Sequence, residues 1–182
     1  AVYIPLESHV FETLDRQYVI DTLFPLLAEK EVGGANIPFD LRGVYHEGYI
    51  FKTWCDVIDN EYLMDPEGSK GKKGLKTLAR YYLNEEIPEL HEVLGGPVDG
   101  NLILYLPKDV ITLYGCSDVE PIWRINELQQ QHMKTLRAPM LRDRSVDHII
   151  AQCNYYGAYL DVPNLEQMQR IINKDHKELT NL

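Results

Sequence analysis

Residues 110–136 have the periodicity of one long helix, and this stretch constrains the possible folds more than any other part of the sequence. Pro107 precedes it at a position where a first helical turn tolerates proline, and Pro121 predicts a kink inside it. Short apolar stretches alternate with shorter helical patterns before it, whereas only helical patterns follow it. This order predicts an α/β or α+β domain over residues 1–136, with α/β as the class we favour, and a helical extension over residues 137–182.

Several shorter elements complete the prediction. Apolar and β-branched residues predict strands over residues 1–6, 35–39 and 49–51. Apolar residues at helical spacing predict further helices over residues 12–28, 41–46, 56–63, 75–83, 139–156 and 163–180. Pro25 predicts a break in the first of these helices, and Gly33-Gly34 predicts a turn. Residues 88–101 are predicted to form a surface excursion.

The composition is that of an ordinary globular protein, because 45% of the 182 residues are hydrophobic and 25% are charged. No apolar run reaches the roughly 18–20 residues that span a membrane, so no membrane partner is expected. Three widely spaced cysteines argue against a zinc site and favour a reducing compartment. The net charge of −10 argues against a general polyanion-binding surface but is compatible with a nuclease pocket. The one basic cluster, Lys70-Gly71-Lys72-Lys73, is predicted to be a solvated loop, with phosphate contact as the alternative.

A few acidic and phenolic residues could carry chemistry. Asp40 follows a predicted apolar strand, where an α/β sheet presents ligands, although an N-cap is the alternative role. Tyr114 and Asp118 lie one turn apart on one face of the long helix, so the pair could hold a metal ion beside a bound water. An exposed Asp beside a core Tyr is the alternative for that pair. Asp56 is predicted to be the N-cap of its helix.

Six short motifs occur in order along the chain: Tyr3-Ile4-Pro5-Leu6, Leu23-Phe24-Pro25-Leu26-Leu27, Asn36-Ile37-Pro38-Phe39-Asp40, Gly74-Leu75-Lys76-Thr77-Leu78-Ala79, Tyr114-x-x-x-Asp118 and Tyr156-Gly157-Ala158-Tyr159-Leu160-Asp161. Together they resemble the 3′-5′ proofreading exonuclease domain of family A DNA polymerases, in particular phage-like ones. That domain belongs to the DEDDy branch of the RNase H-like exonucleases. The resemblance covers nearly the whole chain.

The resemblance implies an RNase H-like exonuclease fold, with a mixed central sheet flanked by helices, and an extension that leads toward a polymerase thumb. It implies two Mg²⁺ or Mn²⁺ ions, with Asp118 binding the ion that activates water and Asp40 holding the second. Tyr114 would position the attacking water, and Asn36 and Phe39 would contact the substrate. The implied partners are a single-stranded 3′ end of DNA and a polymerase domain in the same or a companion chain. The implied location is the cytoplasm, that of the host if the protein is viral.

The first motif of the family, Asp-x-Glu on the first strand, comes before the segment that Tyr3-Ile4-Pro5-Leu6 resembles, so we expect it upstream of Tyr3 in an N-terminally longer protein. Because that motif would supply the carboxylate that bridges both ions, we expect the present chain alone to be weak or inactive. Three alternatives remain: a catalytically inactive exonuclease-like scaffold of a DNA polymerase, a stand-alone DEDDy exonuclease that processes RNA, and a generic α/β interaction domain.

Overall fold

The computed structural model describes residues 1–68, 74–96 and 99–180 of the chain. The two strands are β1 (Glu31–Gly34) and β2 (Lys52–Asp56). The α-helices are α1 (Arg16–Ala28), α2 (Ile37–His46), α3 (Val57–Met64), α4 (Leu75–Leu83), α5 (Leu90–Leu94), α6 (Lys108–Gln130), α7 (Arg137–Tyr156) and α8 (Val162–Thr180). Two 3₁₀ turns cover Gly100–Tyr105 and Met133–Thr135. The predicted mixed α/β class is confirmed at this level, with helices dominating the described residues.

The two strands are parallel and are joined by α2, which makes a βαβ unit. Glu31 lies opposite Lys52 and Gly34 opposite Asp56, with an irregularity after Val32. A Cβ atom at Gly33 would lie 2.6 Å from Cys55 Sγ, so the close approach of the strands requires glycine there.

Two hydrophobic clusters hold the helices around this unit. One contains residues of α3, α4 and α6: Val57, Leu78, Ala79 and Ile125, together with Ile87. The other joins α2 and α7 beside the sheet through Ile37, Leu41, Phe51 and Ala151. Helix α7 therefore packs directly against the βαβ unit, whereas the described side chains of α8 are exposed.

Asp56 is confirmed as the N-cap of α3, because its Oδ1 accepts a hydrogen bond from the Ile58 N–H at 2.8 Å. Its other oxygen accepts a hydrogen bond from the Ile37 N–H at 2.6 Å. The side chain is fully buried. One carboxylate at the end of β2 thus satisfies the first turns of two helices and fixes where α2 begins.

The strand predictions were wrong in position. Residues 1–6 form no strand, and the ring of Tyr3 lies instead against Gly115 in α6. Residues 35–39 span the start of α2, where Pro38 occupies the first turn and loses no helical hydrogen bond. Residues 49–51 precede β2 rather than forming a strand.

The helix predictions fared better. The helix over residues 75–83 is confirmed with its bounds, and those over 56–63, 139–156 and 163–180 are confirmed within one or two residues. The predicted break at Pro25 was wrong, because α1 continues through it. Helix α6 ends at Gln130 rather than residue 136, and the excursion over residues 88–101 includes the short helix α5. The basic cluster at residues 70–73 lies outside the described residues. Every described helix is too short or too polar to span a bilayer.

Candidate functional site

Asp40 lies in the first turn of α2 and not at the end of a strand, as the sequence had suggested. The helix begins after Asn36, whose backbone is left-handed with φ of 63°, a conformation that Asn tolerates better than most residues. The Asp56 carboxylate then binds the first N–H of the helix. These two features turn the chain sharply after β1 and place Asp40 near the carboxyl end of the sheet.

Asp118 lies in the middle of α6, one turn after Tyr114, and the two side chains interact. The Lys76 ammonium of α4 lies 3.8 Å from Asp118 Oδ1. It also lies 5.2 Å from the centre of the Tyr114 ring. The same ammonium donates a hydrogen bond to the Pro88 carbonyl and lies 3.5 Å from Glu89 Oε2. Asp118 Oδ1 is itself buried and has no hydrogen-bond partner in the described part of the chain.

Asp40 and Asp118 line one cavity of about 520 Å³, although 77 residues separate them in the sequence. The cavity opens between the end of β1 and helices α2, α4 and α6, and Lys76 also lines it. Most of the remaining lining is apolar, for example Leu75 and Ile122. Tyr114 is not among the lining residues and reaches the site through its interaction with Asp118. The structure thus brings the two predicted carboxylates to one concave surface.

The surroundings raise the pKa of all three groups. Burial, followed by the nearby charge of Asp56, raises the pKa of Asp40 to about 6. Asp40 is reached by solvent yet sits in a concave wall of protein, so its carboxylate loses part of its hydration. Burial also raises the pKa of Asp118, while Lys76 and Tyr114 oppose the shift. Burial and the Asp118 charge raise the pKa of Tyr114 to about 12, so its hydroxyl keeps its proton at neutral pH and can donate it.

Oxygen donors such as these are the ligands that Mg²⁺ and Mn²⁺ prefer. The described ranges, however, contain no group of three or more His, Cys, Asp or Glu side chains arranged to hold a metal ion. The cavity offers two carboxylates, and the Lys76 ammonium already compensates one of them. The residues present therefore do not fit a pair of divalent ions without further carboxylates.

Asn36 and Phe39, the predicted substrate-binding residues, line a different and smaller cavity of about 250 Å³. Arg42 lies 5.1 Å from the centre of the exposed Phe39 ring, and it lines this cavity too. Two successive residues of α2, Phe39 and Asp40, therefore point to different cavities, as neighbouring positions on a helix do.

Sequence reasoning missed the acidic floor of this smaller cavity. Asp59 and Asp147 line it, and the buried Arg144 guanidinium binds both, with contacts of 3.0 Å to Asp59 and 3.2 Å to Asp147. The spacing of Arg144 and Asp147 on one helix face was the available signal. It did not indicate burial, because most such pairs are exposed.

Neither protein-family models nor curated proteins match this chain. The resemblance to proofreading exonucleases therefore rests on the ordered motifs of the sequence.

Proposed function

We propose that this chain carries part of the active site of a 3′-5′ exonuclease with an RNase H-like fold. The substrate is a frayed single-stranded 3′ end of DNA, and the domain works beside a family A polymerase domain. One observation carries the proposal: Asp40 and Asp118, distant in sequence, line one cavity, with Tyr114 interacting with Asp118. The order of the sequence motifs supports the same function.

In this proposal, Tyr114 and Asp118 hold the attacking water. The protonated Tyr114 hydroxyl donates its hydrogen bond to Asp118 and so orients the carboxylate, and Asp118 Oδ1, which accepts no hydrogen bond from the described residues, accepts one from the water. The water adds to the terminal phosphodiester and the P–O3′ bond breaks, which releases a nucleoside 5′-monophosphate and leaves a new 3′ hydroxyl. Asp40, ionised above about pH 6, supplies the second carboxylate. The Asp-x-Glu motif that the resemblance implies would supply the remaining ones.

The test is excision of a 3′ mismatch by a longer protein that carries this chain together with an upstream Asp-x-Glu strand. Asp118→Asn and Tyr114→Phe are expected to reduce excision by at least about tenfold, the loss typical of residues that orient a metal site. Glu127→Gln is the matched control, because Glu127 is an exposed carboxylate on the same helix and lines no described cavity. Full excision by the Asp118 variant contradicts the proposal.

A specific observation favours a second candidate, an inactive exonuclease-like scaffold. The Lys76 ammonium lies beside Asp118 and Tyr114, where it neutralises charge that a metal ion would otherwise neutralise. Calorimetric titration of the longer protein with Mn²⁺ separates the two candidates. An exonuclease loses Mn²⁺ affinity in Asp118→Asn and gains it in Lys76→Gln, whereas a scaffold binds no Mn²⁺ that depends on Asp118.

A further inference from the structure

A cavity of about 570 Å³ lies on another part of the molecule, between the strands and the beginning of α7. Strand residues Thr53 and Trp54 form one side. The 3₁₀ turn and α7 form the other side and contribute Met133, Lys134, Arg137 and Met140. None of these residues lines the cavity that contains Asp40 and Asp118.

The cationic side of this cavity is not neutralised internally. Lys134 and Arg137 are exposed and lie three residues apart, and neither forms an ion pair with any described residue. Glu31 is the one acidic residue among the lining residues. In a chain with a net charge of −10, two unpaired cations at the rim of a cavity mark a place that attracts an anion.

The other side of the cavity is aromatic. Trp54 lines it and contacts Trp123 of α6, with ring centres 5.4 Å apart and planes inclined by 36°. These are the only two tryptophans of the chain. The half-buried Trp54 is held by a strand on one side and by Trp123 on another, so its indole is a preorganised platform for a flat ring.

We propose that this cavity binds a nucleoside phosphate, with the base against Trp54 and the phosphate at Lys134 and Arg137. An aromatic platform beside unpaired cations is the combination that recognises nucleotides without base-specific hydrogen bonds. The ligand is either a free nucleotide or one nucleotide of a single strand. The inference goes beyond the proposed exonuclease function, because it involves none of that site's residues.

Binding is measured on the full 182-residue chain by calorimetry and by intrinsic fluorescence. Trp54 lines the cavity and Trp123 contacts Trp54, so the tryptophan emission is sensitive to a ligand bound there. The probes are 5′-AMP, adenosine, inorganic phosphate, a short oligo(dT) and a poly-glutamate peptide. We expect 5′-AMP to quench the fluorescence and to bind at least about tenfold more tightly than adenosine or phosphate, since each of these offers only half of the contacts. Tighter binding of oligo(dT) than of 5′-AMP identifies a single strand as the source, and the reverse order identifies a free nucleotide.

Variants locate the site. Alanine at both Lys134 and Arg137 is expected to weaken binding about tenfold or more and to reduce its salt dependence. Trp54→Leu should weaken it about 5- to 150-fold, the range for loss of one stacked base. Lys108 is an exposed lysine that lines neither this cavity nor the one that contains Asp40 and Asp118, so the Lys108→Ala variant should bind as the wild type does. Because Lys134 and Arg137 are exposed, their variants report on binding even if Trp54→Leu does not fold.

Three outcomes with these probes and variants overturn the inference, and a fourth concerns Asp118→Asn. Neither 5′-AMP nor oligo(dT) binds; poly-glutamate binds as tightly as oligo(dT), which makes charge alone sufficient; or the Lys134 and Arg137 double variant binds as the wild type does. Asp118→Asn separates this inference from the proposed exonuclease. Loss of 5′-AMP binding in that variant places the nucleotide in the cavity that contains Asp40 and Asp118 and refutes the second site while leaving the proposed function standing.

Discussion

Substitution of Arg144 by Met tests how α7 is held against the rest of the molecule. The Arg144 side chain is 5% exposed and contacts Asp59 Oδ2 at 3.0 Å and Asp147 Oδ2 at 3.2 Å. Met keeps most of the side-chain length and removes the charge, which leaves two carboxylates without their counterion. Removing one partner of a buried ion pair costs about 3–5 kcal/mol, so we expect Arg144→Met to lower the free energy of unfolding by that amount near neutral pH.

The loss should depend on pH in a defined direction. Burial raises the pKa of both Asp59 and Asp147, with Asp56 adding to the shift and Arg144 opposing it. Asp143 also raises the pKa of Asp59. Arg42 is the other charged residue that lines the cavity of about 250 Å³ that Asp59 and Asp147 line. A carboxyl group with a raised folded pKa contributes stability at low pH that is lost as the pH rises through that pKa. Without Arg144 the pKa values of both carboxyl groups rise further, and a rise of one pKa unit corresponds to about 1.4 kcal/mol of stability lost at a pH above that pKa.

Urea unfolding at about pH 5 and about pH 8 measures both effects, and we expect the loss in Arg144→Met to be larger at the higher pH. Arg142→Met is the control, because that arginine is on the same helix, has a 73% exposed side chain and, among the described residues, forms an ion pair with Asp143 alone. Its variant should change stability by less than about 0.5 kcal/mol at either pH. Combining Arg144→Met with Asp147→Asn should recover part of the loss at about pH 8. An equal loss at both pH values, or one no larger than that of Arg142→Met, refutes the reasoning.

Three further predictions follow from the described contacts. Gly43→Ala should stabilise the protein by about 0.5–1 kcal/mol, because no atom lies near the position of a Cβ there. Gly115→Ala should destabilise it by about 1–3 kcal/mol, because the added Cβ would collide with the Tyr3 ring. Equal urea unfolding curves for the two variants would contradict this prediction. Asp56→Ala should lower the free energy of unfolding by roughly 1–4 kcal/mol, because two helix N-termini each lose a cap worth about 0.5–2 kcal/mol. Asp56→Asn should lower it by less, and an Asn variant as unstable as the Ala variant would count against the double cap. NMR titration of the Asp40 carboxyl should give a pKa of about 6, and the value should fall in Asp56→Asn; an unchanged value would show that the Asp56 charge has no part in the shift.

The sequence predicted elements whose structure depends on neighbours along the chain. Helix α4 has a clear apolar stripe, and Asp56 is a favoured N-cap residue, so both could be predicted locally. Strand β1 could not, because Gly33 and Gly34 are typical of a turn and occur in a strand only to admit Cys55 and Ile37 from other elements. The contact between Lys76 and Asp118 depends on how α4 packs against α6, and no spacing within either helix indicates it.

Two acid–base clusters of similar composition differ in what they can do, and burial decides the difference. Arg144 and Asp147 are both almost fully buried, so removing the guanidinium would leave an uncompensated carboxylate in a low-dielectric interior. Lys76 and Asp118 are about one-quarter and one-third exposed, with side-chain exposures of 22% and 32%, and they line a cavity that solvent reaches. An ion pair with access to water contributes little stability, so the ammonium can move aside at small cost. The contact of Arg144 with Asp59 therefore fastens α7 to α3, whereas the carboxylate beside Lys76 lies within reach of a cation or a substrate.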